Sequence, residues 1–91
     1  MRLENKKVII TGAAQGMGGV ITENLARQGA DLVLTARTRG PLEEMAEKVR
    51  AMGRRAEVAP ADVTDEAQVA DMVGRAKAFF DGRIDILVNA A

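Results

Sequence analysis

The sequence predicts an α/β fold built on a doubly wound parallel sheet, and three observations predict it. Short apolar runs around Ile9, Val33, Val58 and Leu87 alternate with longer stretches of helical periodicity. The breaks between them are brief and marked by glycine or proline. A glycine cluster, Gly12, Gly16 and Gly18, falls where the first run gives way to the first helical stretch. Strict alternation of strand and helix needs crossovers, and crossovers make neighbouring strands parallel.

Val8, Ile9 and Ile10 form the first strand, a β-branched run suited to burial on both faces. Thr11 and Gly12 break it. Strand, glycine-rich turn and helix start together present backbone N–H groups and the positive end of a helix dipole to a phosphate. Glycine suits the turn because a Cβ would obstruct both the backbone and an approaching ligand. The first helix runs from Gly16 to Gln28, and Met17, Val20, Ile21 and Leu25 are its expected apolar face. Glu23 and Arg27 make an exposed i,i+4 pair, and Gly29 closes the helix. Gly19, beside Gly18, reads as a flexible first turn; an enlarged phosphate loop is the alternative.

Asp31 to Arg37 is the second strand, with Leu32, Val33 and Leu34 inside. Arg39, Gly40 and Pro41 form a turn, with Pro41 at the first position of the second helix. Leu42, Met45, Val49 and Met52 are that helix's core face, the methionines as filler. Glu44 and Lys48 lie on its wet side, and Gly53 ends it. Arg55 to Ala61 is a third, weaker strand at or near a sheet edge. Thr64 is the expected N-cap of the third helix, with Asp65 and Glu66 in the first turn complementing the dipole. Val69, Met72, Val73, Ala76, Phe79 and Phe80 make its apolar face, and Gly82 stops it. Arg83, Ile84 and Asp85 lead into a fourth strand, Ile86 to Val88, followed by Asn89, Ala90 and Ala91.

Right-handed crossovers put the four strands in the order 3-2-1-4, with the switch point between strands 1 and 4. Two helices then lie on one face of the sheet and the third on the other. The whole is a partial Rossmann-type sheet spanning residues 1–91, with no second domain, and the glycine loop sits at the switch point.

Composition limits what such a unit can do. The 91 residues carry 13 basic and 13 acidic side chains, so bulk charge gives no support to nucleic-acid or membrane-surface binding. No apolar run approaches the ~20 residues of a membrane span. The opening MRLENKK lacks the apolar core of a secretory signal, and cysteine is absent, so a cytoplasmic location is expected. His, Cys, Ser, Tyr and Trp are all missing. The usual nucleophiles and the usual near-neutral acid or base are therefore not available. The chain is equipped to hold a ligand and poorly equipped to transform one.

Four features together resemble the short-chain dehydrogenase/reductase family. TGAAQGMG, Thr11 to Gly18, is similar to the family's T-G-x3-G-x-G cofactor loop. Arg37 matches the position that reads the adenosine ribose. Asp62 and Val63 match the pair flanking the adenine. Asn89-Ala90-Ala91 resembles the start of the N-N-A-G motif, with alanine in place of one residue of the pattern. The resemblance implies that Gly12, Gln15, Gly16, Met17 and Gly18 surround the pyrophosphate and adenosine, largely through backbone. It implies that Asp62 accepts from the adenine amino group beside the Val63 backbone, and that Asn89 and Ala90 line the adenosine–ribose side. An acidic residue near position 37 would hold the ribose hydroxyls of NAD, whereas a guanidinium fits a 2′-phosphate. NADP is accordingly the expected cofactor and NAD the less favoured one, although Gln15 stands where the family often places a second basic residue; Arg39 is a substitute.

In the family, hydride transfer between nicotinamide and a carbonyl or alcohol uses a Tyr-x-x-x-Lys pair, a Ser and a later Asn, none of which can be assigned here. No residue of this chain is therefore a candidate catalytic residue, and no metal site is expected. The reading favoured is the N-terminal, NADP(H)-binding portion of such an oxidoreductase, associated with the remainder of the fold or with further copies of itself. A non-catalytic nucleotide-binding or self-associating module is the alternative.

Overall fold

A computed structural model describes residues 2–90 of the chain. Ala91, the third residue of the Asn89 motif, lies outside the described residues. The elements run β1 (Lys7–Thr11), α1 (Gly16–Arg27), β2 (Asp31–Thr35), α2 (Arg39–Ala51), β3 (Ala56–Val58), α3 (Glu66–Phe79) and β4 (Ile86–Asn89). The strands form one parallel sheet in the order β3-β2-β1-β4, as the alternation predicts. Thr11, at the C-terminal end of β1, is in register with Thr35 of β2 and Asn89 of β4.

Alternation of side chains across the pleat sorts the core into two layers. Val8, Ile10, Leu32 and Leu34 point to one face and meet Leu42, Met45, Ala46 and Val49 of α2 and Ala26 of α1. Ile9 and Val33 point to the other and meet Met72, Ala76 and Phe80 of α3. Two helices thus cover one face and one the other.

The first helix departs from its expected packing. Met17 is 72% exposed and Val20 63% exposed, and Ile21 and Leu25 are only partly buried. The buried face is instead Gly18, Gly19, Thr22 and Ala26, the small residues at i, i+4 and i+8. A Cβ on Gly18 would overlap the backbone carbonyl of Gly12. Close approach to β1 selects small side chains there; Met17 and Val20 are turned outward, and Ile21 and Leu25 pack against the core at its margin. Gly19 is buried between the loop and α2: a Cβ on it would stand 3.2 Å from the Ala14 carbonyl oxygen and 3.4 Å from Met45 Cε. It lies in the first turn of α1, as expected, and not in an enlarged loop.

Other boundaries shift by a turn or less. The second helix begins at Arg39, after Thr38, so Arg39-Gly40 is helical and Pro41 occupies the third position. A proline is harmless there because N–H groups in the first turn have no helical acceptor. Met52 is the C-cap and 36% exposed, one turn beyond the core stripe that ends at Val49. The N-cap of α3 is Asp65, not Thr64: its carboxylate accepts from the Ala67 and Gln68 N–H groups at 3.0 and 3.2 Å. Strand β2 stops at Thr35, which leaves Ala36 and Arg37 beyond the ladder.

The sheet ends at β3 with a device for its free edge. Arg55 O accepts from Leu32 N, and Ala59 N donates to Leu34 O. By the alternation of a parallel ladder, the carbonyls of Ala56 and Val58 face outward. Arg50 Nη2, from α2, donates to the first at 2.7 Å. Arg75 Nη1, from α3, donates to the second at 3.3 Å.

Candidate functional site

The C-terminal ends of β1, β2 and β4 converge on the loop that enters α1. Gly12 and Gly16 turn it with φ of 64° and 55°, values a side chain disfavours. The loop is anchored at two points. Ala13 N donates to Thr35 O at 3.2 Å. Thr22, fully buried on α1, has its hydroxyl 2.9 Å from Ala13 O and 2.8 Å from Gly18 O.

Gln15 is the N-cap of α1, extended, with no capping bond from its side chain, and the first turn carries no acidic residue. The first helical bond inward from the cap is Gly19 N to Gln15 O. The N–H groups of Gly16, Met17 and Gly18 therefore have no helical acceptor. They gather partial positive charge at the mouth of the loop. That cradle, which a Cβ on Gly18 would destroy, suits an anion.

A cleft of about 310 Å³ opens beside the loop, lined by Gly12, Ala14, Gln15, Arg37, Thr38 and Ala90 among others. A second, of about 360 Å³, is lined by Ala61, Asp62, Val63 and Thr64. Gly12, Ala36 and Arg37 line both, so the two adjoin.

Arg37 and Asp62 meet at this junction, with Nη2 donating to Oδ2 at 3.0 Å. Asp62 Oδ1 accepts the hydroxyl and the N–H of Thr64 at 2.7 and 2.9 Å. These two bonds, with the Arg37 guanidinium, hold the Asp62 carboxyl down at about 2. It is an anion at neutral pH. On the β4 side, Thr11 Oγ1 donates to Asn89 Oδ1 at 2.9 Å, and Ala90 N donates to Thr11 O at 3.2 Å.

Most of the residues singled out from sequence come together here. Gly12, Gln15, Arg37 and Ala90 share the first cleft; Asp62 and Val63 line the second. Asn89 lines a third, apolar cavity of about 370 Å³ with Leu87, Val63 and residues of α3. Gly16, Met17 and Gly18 contribute backbone at the helix start. Arg39 is not among the residues that line these clefts and pairs with Glu43 at 3.6 Å. Thr22, Thr64 and Gln68, whose Oε1 accepts the Asp62 N–H at 2.8 Å, were not legible as site residues. The Asp-x-Thr spacing of an Asx turn was the available signal for Thr64. Among the described residues no group of three or more His, Cys, Asp or Glu could hold a metal ion, and no helix is long and apolar enough to cross a membrane.

Fold and site define a doubly wound α/β protein with a glycine loop at its switch point. Residues 6–91 match the family model described as short chain dehydrogenase, and the chain belongs to that family. It is 42% identical over 89 residues to 2,3-dihydro-2,3-dihydroxybenzoate dehydrogenase of Bacillus subtilis, covering 98% of this chain and 34% of that protein. It is 40% identical to an uncharacterized oxidoreductase of Mycobacterium tuberculosis, covering 97% of this chain and 33% of that one. Among solved structures, a short chain dehydrogenase from Burkholderia cenocepacia in complex with NADP superposes with a TM-score of 0.91 at 36% identity, over 98% of this chain and 36% of that one. A hydroxysteroid dehydrogenase from Escherichia coli gives 0.92 at 31% identity, over 97% and 37%. The chain thus spans about a third of the length of the curated relatives it matches.

Proposed function

We propose that this chain forms the adenosine side of an NADP(H) groove in an oxidoreductase that moves hydride between nicotinamide and a carbonyl or alcohol. The observation that carries the reading is Arg37, which lines the same cleft as Gly12 and Gln15, just past the end of β2. A planar guanidinium there suits a 2′-phosphate, and no carboxylate follows β2 directly to favour bare ribose hydroxyls. Nicotinamide, when bound, supplies the hydride chemistry. The residues of this chain bind and orient. The N–H groups of Gly16, Met17 and Gly18, with Gly12 and Gln15 beside them, hold the pyrophosphate. Asp62 and Val63 receive the adenine, and Asn89 and Ala90 wall the ribose side. The NADP complex of the Burkholderia relative and the dehydrogenase names of other relatives support the reading.

Fluorescence titration with NADPH and NADH tests it. NADPH binds more tightly by roughly tenfold or more if a charge-assisted contact to the 2′-phosphate forms. Equal affinities, or no binding of either, would refute the assignment of Arg37.

A further inference from the structure

Arg37 and Asp62, which the proposed function assigns to the 2′-phosphate and the adenine of one dinucleotide, hold each other. Of the two, Asp62 is the fixed partner. Its Oδ1 takes both the hydroxyl and the N–H of Thr64, and its own N–H is held by Gln68 Oε1 at 2.8 Å. Its side chain is 29% exposed, against 74% for Arg37. Arg37 reaches it through Nη2, which donates to Asp62 Oδ2. A negative charge therefore stands 3.0 Å from the guanidinium of Arg37, the residue that lines both clefts.

The two classes of dinucleotide meet this pair differently. One without a 2′-phosphate asks nothing of Arg37 and leaves the pair intact. A 2′-phosphorylated one must share the guanidinium with Asp62 or take it over, and its own charge is brought near a carboxylate of like sign. The pair thus weighs against the phosphorylated dinucleotide alone.

We infer that Asp62, clamped by Thr64, is a specificity-determining residue that restrains the preference for NADP(H) over NAD(H) by competing with the 2′-phosphate for Arg37. This rests on the reading of Arg37 as the 2′-phosphate partner. The competing role, in which Asp62 orients Arg37 and so strengthens the preference, predicts the opposite sign.

The test is the ratio of NADH to NADPH dissociation constants, by fluorescence titration of the wild type, Asp62→Asn, Asp62→Ser and Arg37→Ala. A weakened adenine contact falls on both cofactors and cancels in the ratio. Removing the Asp62 charge is expected to raise the ratio about two- to fivefold, the range of an exposed ion pair. Both Asp62 variants should agree, since either side chain can still accept from Thr64. A ratio that is unchanged or lowered in both, while Arg37→Ala collapses it, overturns the inference and leaves the function standing. If Arg37→Ala also leaves the ratio unchanged, the reading of Arg37 fails and the inference falls with it.

Discussion

Gly18 lies against Gly12 so closely that a Cβ on the first would overlap the carbonyl oxygen of the second. Both clashing groups are backbone, so no rotamer relieves the contact. Gly18→Ala can be accommodated only by lifting α1 from β1, which uncovers the Gly18, Thr22 and Ala26 face. A loss of about 3 kcal/mol or more is expected, at the upper end of overpacking costs. Gly16→Ala differs: nothing lies within 4 Å of its Cβ, and the cost is the strain of φ 55° alone. That amounts to about 1 kcal/mol. Urea melts of the two variants check the order. A Gly18→Ala protein as stable as Gly16→Ala would contradict the packing described for α1.

The proposed phosphate contact has a pH signature. The chain has no histidine, cysteine or tyrosine, so apart from the α-amino group no group with an ordinary pKa near neutrality is present. Asp62, held at about 2, remains charged throughout. A phosphate monoester, in contrast, takes up its second proton at a pH of about 6. The NADPH preference should therefore fall severalfold from pH 7.5 to pH 5, with NADH affinity nearly flat over the same range. Titrations at the two pH values check this; a flat ratio would place the 2′-phosphate away from Arg37.

What was legible in the sequence divides along physical lines. The strands of the sheet interior are legible because β1 and β2 are covered on both faces, so Val8, Ile9, Ile10 and Leu32, Val33, Leu34 have no polar alternation to confuse them. The stripe from Val69 to Phe80 along α3 and its C-cap is legible because its apolar residues, recurring at helical spacing, do pack on Ile9 and Val33. Helix α1 fails that logic. Its approach to β1 is set by glycine, so the large apolar Met17 and Val20 are outside and Gly18, Gly19, Thr22 and Ala26 inside. A pattern that equates large and apolar with buried inverts such a helix. At the site, Arg37 and Asp62 were each legible at the end of a strand. Their pairing was not, because 25 residues separate them and only the sheet register sets them side by side.

The opposite end of the sheet carries an acid dependence of its own. Asp31 is 3% exposed at the start of β2 and accepts from Lys7 Nζ at 2.7 Å, Arg55 N at 3.0 Å and Arg54 Nη2 at 3.3 Å. Burial pushes its carboxyl up. The Lys7 hydrogen bond, the Arg55 N–H and the charges of Lys7 and Arg54 outweigh burial and leave it below the ordinary 3.8. A folded-state pKa below the unfolded one adds stability above the unfolded value and loses it as pH falls through the folded one. Urea midpoints should be level from pH 7 to pH 5 and drop below about pH 4. Asp31→Asn should cost about 3 kcal/mol at neutral pH, since Lys7 and Arg54 are left without their buried anion. It should also flatten the acid limb in part, with Asp62 and Asp85, both also lowered, supplying the rest.

Arg50 and Arg75 close the β3 edge from opposite faces of the sheet, through the carbonyls of Ala56 and Val58. An exposed strand edge is a template for another strand, and a three-residue strand is shielded only in part by its shortness. Each guanidinium takes an acceptor that an incoming strand would need, and it sets a cation where that strand would lie. Both arginines have exposed positions on their helices, so truncating them removes little core. Arg50→Ala combined with Arg75→Ala should therefore change the unfolding midpoint little, by about 1 kcal/mol in total. Self-association is where the effect should show. Sedimentation velocity over a range of concentrations should find the double variant shifting to larger species where the wild type does not, with each single variant between them. The cation matters as well as the hydrogen bond: Lys at both positions should restore most of the wild-type behaviour, and Gln less of it. A double alanine variant whose sedimentation matches the wild type would show that β3 is protected by its length alone.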